Sequence, residues 1–140
     1  MTDTVSKRER SRIMAAVKSK DTRPELAVRR LVHALGYRYR LHAKTVPGSP
    51  DLVFPSRWKV VFVHGCFWHR HRCSEGRSMP ASRVAYWKAK FERNQRRDAK
   101  NRRLLRKMGW TVLVVWECET IPRRLPNLES RLKRFLGRNQ

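Results

Sequence analysis

The segment GCFWHRHRC, residues 65–73, contains two cysteines and two histidines that are typical zinc ligands. A distant cysteine adds a fifth candidate to this group, which consists of Cys66, His69, His71, Cys73 and Cys118. A tetrahedral zinc site takes four ligands, and the spacing alone does not say which four. Free cysteines often only fill a core. The density of ligands here nevertheless favours a structural zinc site, which would hold a loop that a small core could not hold alone.

Acidic residues are scarce, because the chain has 11 Asp and Glu against 34 Lys and Arg. Asp51 follows the turn sequence PGSP and opens the apolar run DLVF. It could cap that turn, or it could be an oxygen ligand for Mg²⁺. His64 ends the neighbouring predicted strand. A carboxylate-bound Mg²⁺ beside an imidazole is the minimum apparatus for phosphodiester hydrolysis.

Two further acids have both a structural and a functional interpretation. Asp98 lies almost on the apolar stripe of a predicted long helix. It could form an i,i+4 salt bridge with Arg102, or it could orient a catalytic histidine from behind. Glu25 has a sufficient role as the acid of a capping box with Thr22. Its rarity in this chain is the only hint that it also has a catalytic role.

Aromatic residues surround the candidate ligands. Phe67 and Trp68 lie between Cys66 and His69, and Trp87 begins the long helix. Core packing is the usual role of such residues. We expect a metal loop to push the rings outward instead, where they could enter a base stack. That insertion costs least in a duplex that is already mismatched.

The net charge of +23 predicts a polyanionic partner, and nucleic acid is the first candidate. The longest apolar runs, VVFV and TVLVVW, are too short to span a membrane. The first twelve residues show no secretory signal. An odd number of cysteines argues against a secreted disulfide framework. We therefore expect a soluble protein of the cytoplasm.

The length of 140 residues suits one domain, which must position these groups. We expect residues 1–20 to be a mobile basic arm and residues 21–140 to form a single domain. The order α-β-β-β-α-β-α indicates a layered α/β fold. Apolar periodicity and turn residues predict a helix from Thr22 to Gly36, a β-meander, a long helix between Pro80 and Gly109, a strand buried on both faces, and a closing helix. The meander strands are 37–42, 50–54 and 59–64, the buried strand is 110–117, and the closing helix is 126–136. The stripe of the long helix is Val84, Trp87, Phe91, Leu105 and Met108.

The segments PGSPDLVF, FVHGCFWHRHRC, PASRVAYW and VVWEC resemble the very short patch repair (Vsr) DNA mismatch endonucleases. The resemblance covers about residues 7 to 120, in the same order and spacing. It implies a restriction-endonuclease-like core with a mixed β-sheet flanked by helices. It also implies that double-stranded DNA is nicked 5′ to the thymine of a T:G mismatch, which arises when 5-methylcytosine deaminates. We expect a monomer in a bacterial cytoplasm, associated with the nucleoid when on DNA. Contact with mismatch-repair proteins is left open.

The resemblance also implies a role for each site residue. Asp51 and the backbone carbonyl of Val63 would bind catalytic Mg²⁺. His69 would be the general base or acid, oriented by Asp98, and His64 would face the scissile phosphate. Glu25 joins this catalytic group without an assigned role. The resemblance assigns the structural Zn²⁺ to Cys66, His71, Cys73 and Cys118, and the intercalating wedge to Phe67, Trp68 and Trp87. The arm would close over the opposite groove.

The chain departs from related nucleases at a few positions. Related folds usually carry an acid-x-Lys pair on the strand that here reads Phe62-Val63-His64, which favours a histidine mechanism. Ser49 stands where a basic residue is expected. These changes leave open a nicking enzyme of the same fold with another lesion or sequence preference. A non-catalytic, zinc-stabilised nucleic-acid-binding protein would explain the charge and the cysteines, but not the acids and histidines at matching positions.

Overall fold

A mixed four-stranded sheet organises the part of the chain that the structure, a computed structural model, describes: residues 21–41 and 43–137. The predicted basic arm, residues 1–20, lies outside the described residues. The strand order is β1-β2-β3-β4, antiparallel from β1 to β3 and parallel between β3 and β4. The strands are Arg40–Leu41 (β1), Leu52–Phe54 (β2), Lys59–His64 (β3) and Thr111–Trp116 (β4).

Five α-helices accompany the sheet in the described part of the chain. They are Arg23–Ala34 (α1), Cys66–His69 (α2), Ser74–Arg77 (α3), Val84–Lys107 (α4) and Leu125–Leu136 (α5). Three short 3₁₀ segments lie at Pro55–Arg57, Glu117–Thr120 and Pro122–Arg124. Parallel strands need a long crossover, and here α2, α3 and α4 together connect β3 to β4. This arrangement confirms the predicted mixed α/β fold.

Apolar side chains lie on both faces of the sheet, because successive residues of a strand point to opposite faces. On one face, α1 and α5 cover a core cluster of Val28, Val32, Tyr37, Leu52, Phe54, Val61, Val115, Leu128, Leu132 and Leu136. On the other face, α4 contributes Leu105 to a smaller cluster with Val46, Val53, Val60 and Phe62. The domain thus has three layers, with the sheet in the middle.

Several predicted elements are confirmed. The Thr22 side chain caps α1 by accepting a hydrogen bond from the Glu25 N–H (3.4 Å). Gly36 follows that helix with a φ of 88°, a conformation that glycine adopts without strain. Strand β3 has the predicted bounds, and it forms the predicted meander with β1 and β2.

Three expectations about elements need correction. Of the strand predicted over 37–42, only β1 forms within residues 37–41, where Tyr37 packs into the core, and residue 42 lies outside the described residues. Strand β4 packs on core clusters at both faces but is less buried than predicted: Val115 is fully buried, whereas Val112, Leu113 and Val114 are only half-buried. The ends of the α4 stripe, Val84 and Met108, are 48% and 52% exposed, since they extend past the surfaces that cover the helix.

Candidate active site and metal centre

A cavity of about 350 Å³ opens at the end of the sheet where strand β3 terminates. The antiparallel pairing of β2 with β3 brings Asp51, one residue before β2, beside the end of β3. There the Val63 N–H donates a hydrogen bond to Asp51 Oδ2 (2.5 Å). The cavity is lined by Glu25, Gly48, Ser49, Asp51, Phe62, Val63, His64, His69, Arg97, Asp98, Asn101 and Arg102. All five predicted catalytic residues therefore face one cavity.

Asp51 and Glu25 form a pair of carboxyl groups in this cavity. Burial is the main cause that raises the pKa of Asp51, the Val63 hydrogen bond lowers it and the neighbouring Glu25 raises it, so that the pKa is about 7. Glu25 is only 8% exposed. It accepts hydrogen bonds from the Asp21 N–H (2.9 Å) and from Arg29 (3.3 Å). Two adjacent carboxyl groups at one cavity fit a divalent cation, which takes oxygen ligands and would offset their negative charge.

A histidine–carboxylate pair lies on the other side of the cavity. His69, the last residue of α2, places Nδ1 2.5 Å from Asp98 Oδ2 in the middle of α4. Burial alone would raise the pKa of Asp98, but the hydrogen bond and charge of His69 lower it below the usual value. Asp98 therefore pairs with a histidine. The simple helix salt bridge with Arg102 is not formed.

His64 stacks directly on this pair. The rings of His64 and His69 lie 3.8 Å apart at an angle of 7°. Burial, and then the charge of His69, lower the pKa of His64 to about 3. A stacked, buried imidazole of this kind stays neutral at physiological pH. It can donate a hydrogen bond to a phosphate, but it cannot supply positive charge.

Four of the five candidate zinc ligands converge beside the active-site cavity. Ligand atoms of Cys66, His71, Cys73 and Cys118 all lie within 4.8 Å of one another. His71 Nδ1 is 3.7 Å from Cys66 Sγ and 3.5 Å from Cys118 Sγ. Tetrahedral zinc with ordinary bond lengths separates sulfur and nitrogen ligands by about 3.6 Å. The donor set and its spacing therefore fit zinc, and His69 lies outside the set.

The parallel register of β3 and β4 assembles this centre. His64 pairs with Trp116, so the segments after both strands leave the sheet side by side. The Cys118 N–H then points at Cys66 Sγ (3.4 Å). Gly76 closes the loop, because a Cβ at this position would overlap the carbonyl oxygen of His71. Burial raises the pKa of the Cys66 thiol, and a bound cation would be needed to hold it as a thiolate.

The predicted wedge residues form an aromatic cluster, which corrects one expectation. Trp68, Trp87 and Phe91 are only 8%, 6% and 3% exposed, and Phe67 packs against them. The metal loop therefore does not push these rings outward. Instead, α2 turns them against the start of α4, where burying their large apolar surface is favourable. Arg70 covers the cluster, with its guanidinium 4.2 Å from the Phe91 ring centroid.

Sequence reasoning missed three polar residues of the cavity and one beside the metal centre. Arg97, Asn101 and Arg102 line the cavity from α4. Asn101 and Arg102 follow Asp98 by three and four residues, the spacing of one helical face. That signal could have found them. Glu117 Oε1 accepts from the Cys66 N–H (3.2 Å), a long-range contact with no local signal.

Sequence similarity to known proteins identifies the family of this chain. A family model described as "DNA mismatch endonuclease Vsr" matches residues 2–75. The chain is 38% identical over 118 residues to "DNA mismatch endonuclease Vsr" of Escherichia coli, a match that covers 84% of this chain and 75% of the relative. This chain belongs to the Vsr family. The resemblance stated from the sequence is thus confirmed.

Other relatives of this chain carry a different description. The chain is 52% identical over 136 residues to "Type II nicking enzyme V.XorIIP" of Xanthomonas oryzae pv. oryzae, covering 97% of this chain and 98% of the relative. It is 44% identical over 119 residues to "Type II nicking enzyme V.NmeAIP" of Neisseria meningitidis, covering 85% and 84%. Within residues 21–41 and 43–137, no helix is long and apolar enough to cross a membrane. Family membership therefore supports a DNA mismatch endonuclease.

Proposed function

We propose that this chain is an Mg²⁺-dependent endonuclease that nicks double-stranded DNA 5′ to the thymine of a T:G mismatch. One observation carries the proposal: the Asp51–Glu25 carboxyl pair and the His69–Asp98 pair open into the same cavity. Carboxylates suit a hard divalent cation, and an oriented imidazole suits proton transfer. Together they provide the two functions that phosphodiester hydrolysis needs.

The proposed Mg²⁺ ligands are Asp51 and the backbone carbonyl of Val63, with Glu25 beside them. When bound, the cation would polarise the phosphodiester and lower the pKa of a bound water. The His69 Nδ1–H donates a hydrogen bond to Asp98 Oδ2, which leaves Nε2 as a proton acceptor for the attacking water. Neutral His64 would donate a hydrogen bond to the scissile phosphate. In this arrangement Asp98 fixes the tautomer and His69 moves the proton.

The remaining site residues have supporting roles in the proposal. Cys66, His71, Cys73 and Cys118 hold structural Zn²⁺, which fixes the loop that carries His69. Residues 21–140 form one restriction-endonuclease-like domain that acts as a monomer, and the basic residues 1–20 contact the DNA.

The aromatic cluster is the proposed wedge. Phe67, the least buried of the three predicted wedge residues, would enter the base stack first, backed by Trp68 and Trp87. The buried Trp87 Nε1 has no acceptor among the described residues. A buried donor without a partner is costly, so a rearrangement that gives it one is favourable.

A second candidate function is a nicking endonuclease of the same fold with a different lesion or sequence preference. It is favoured by the relatives named type II nicking enzymes and by Ser49, which lines the cavity where a basic residue was expected. A purely binding protein is disfavoured, because the His69–Asp98 pair has no purpose in binding alone.

The test is a nicking assay on end-labelled duplexes that differ only in a T:G or a T:A pair. Reactions contain Mg²⁺ or lack it, and zinc is kept throughout so that the metal centre stays intact. The Asp51→Ala variant should bind DNA without nicking it. The exposed acid Glu92, changed to Ala, is the matched control and should nick normally.

Each outcome of this assay has a separate meaning. An Mg²⁺-dependent nick 5′ to the mismatched thymine supports the proposal. Equal cleavage of both duplexes supports the second candidate. Binding without cleavage of any duplex, across varied flanking sequences, contradicts both.

A further inference from the structure

A second depression adjoins the carboxylate cavity. It has a volume of about 390 Å³ and shares His64, His69, Asp98 and Arg102 with the first cavity. The two differ in charge. Asp51 and Glu25 line only the first cavity, whereas arginines 70 and 72 line only the second. The second space, the basic depression, has a single acid, which is already paired with His69.

Two of the three arginines in the basic depression have no partner among the residues that the structure describes. Arg70 is engaged, because it donates to the Ser78 carbonyl (2.5 Å) and stacks on Phe91. The guanidinium groups of Arg72 and Arg102 form neither a hydrogen bond nor an ion pair with any of residues 21–41 and 43–137. Arg102 is half-buried, and its charge is one cause of the lowered pKa of His64. Arg72 is exposed and adds its charge at the rim of the depression. A partly desolvated cation without a partner, such as Arg102, favours an anionic ligand.

We propose that the basic depression binds the DNA backbone phosphate next to the one that is cut, with Arg102 and Arg72 as its cationic ligands. The inference rests on the proposed function, since it assumes that the scissile phosphate occupies the carboxylate cavity. Phosphates follow one another at every nucleotide of a strand. A strand that crosses the wall formed by His64 and His69 would therefore leave one phosphate on each side.

This second phosphate contact has a specific task. A guanidinium presents a planar fork that matches phosphate oxygens, so Arg102 can fix orientation as well as add attraction. Contacts to backbone phosphates position a protein on its duplex. Anchoring the neighbouring phosphate would hold the scissile bond in line with the water that His69 activates. Arg102 is thus a positioning residue whose loss should lower the nicking rate more than the binding affinity.

The first experiment compares Arg102→Gln and Arg72→Gln with the control Arg103→Gln. Arg103 is the next residue on α4, is exposed and loses the same charge. On a T:G duplex at saturating protein, losing a charge-assisted contact should slow single-turnover nicking by Arg102→Gln about 10- to 100-fold. The control should change the rate by less than about threefold. Arg102→Lys keeps the charge and should restore part of the rate. Unfolding curves of all variants identify any that fail to fold.

The second experiment locates the phosphate. A series of duplexes carries one uncharged methylphosphonate linkage at each position flanking the nick. At one adjacent position the neutral linkage should slow the wild type, and Arg102→Gln should then cost less than about threefold because the contact is already lost. The proposal would be overturned if Arg102→Gln slowed nicking by the same factor whichever linkage is neutral. It would also be overturned if Arg102→Gln slowed nicking of the T:G duplex no more than Arg103→Gln does.

Failure of the proposed function would look different. In that case the wild type would nick none of the duplexes. Binding affinities for the same methylphosphonate series would still test the basic depression, because the neutral linkage should weaken binding to the wild type more than binding to Arg102→Gln, which keeps only Arg72. An equal loss of affinity in both proteins would contradict the site.

Discussion

Replacing Asp51 by asparagine should stabilise this protein while abolishing its activity. The proposed metal ligand is costly in the absence of the metal, because its carboxyl group is held in a buried position beside Glu25. The unfolded chain ionises this group above a pKa of 3.8, whereas the folded protein retains the proton until about pH 7. The wild type therefore loses stability as the pH rises between these two values, and the loss is complete above pH 7.

The size of the effect follows from that difference in pKa. At about 1.36 kcal/mol for each pH unit, the ionised carboxyl costs the folded state about 4 kcal/mol at pH 8. Asparagine keeps an oxygen that accepts from the Val63 N–H, and its amide can donate a hydrogen bond to Glu25. Burying the amide, however, lowers the free energy of unfolding of the variant by about 2 kcal/mol. We expect the variant to be about 2 kcal/mol more stable at pH 8, which corresponds to about 7 °C in Tm. At pH 5 the two proteins should be nearly equal.

The assay is urea unfolding from pH 5 to pH 8, without Mg²⁺ and with zinc present. Added Mg²⁺ should stabilise the wild type and leave the asparagine variant unchanged, because ligand binding stabilises only the protein that binds. Asp98→Asn is a control of opposite sign, since the pKa of Asp98 is lowered and its charge is favourable in the folded state. A stability difference between Asp51→Asn and the wild type that does not change with pH would refute the electrostatic reasoning.

Two further predictions concern the His69–Asp98 pair and the metal centre. His69→Ala should lower the nicking rate about 10²- to 10⁴-fold, the usual contribution of a general base. Asp98→Asn should also slow nicking and shift the pH profile of the nicking rate. A merely structural role for Asp98 would change stability and leave that pH profile unchanged. Removing zinc with a strong chelator should lower the Tm of the wild type, and the Tm of Cys118→Ser should not respond to the chelator. Elemental analysis that finds no zinc, together with a Tm that the chelator does not change, would rule out the structural metal.

Local sequence signals predicted the elements well where those signals agreed with one another. Thr22 and Glu25 have capping-box spacing, and α1 begins there. The run from Lys59 to His64 is β-branched and bounded by turn residues, and it forms β3. Signals failed where burial depended on distant neighbours. The run at 110–117 is apolar enough for a sheet interior. In the structure, however, β4 is an edge strand, and only β3 pairs with it in the described chain.

The candidate site divides in the same way. Residue types and their spacing were enough to select the cysteines, the histidines and the rare acids as candidates. They could not decide whether Asp98 pairs with Arg102 or with a histidine, because both partners satisfy a carboxylate. They also misjudged the aromatic residues of the metal loop. Large rings gain more from packing on one another than from facing water, so Trp68 turns inward.

By itself, the sequence determined the chemical inventory of this protein: its basic charge, its candidate ligands, its acids and the order of its elements. These follow from composition and local periodicity, which do not depend on contacts between distant residues. Only the tertiary structure brought Asp51 beside Glu25, His69 beside Asp98, and Cys118 beside Cys66. The physical reason is the register of the sheet. The antiparallel hairpin and the parallel crossover place residues that are far apart in the chain at the same end of the sheet. Long-range pairing of this kind leaves no mark on local sequence.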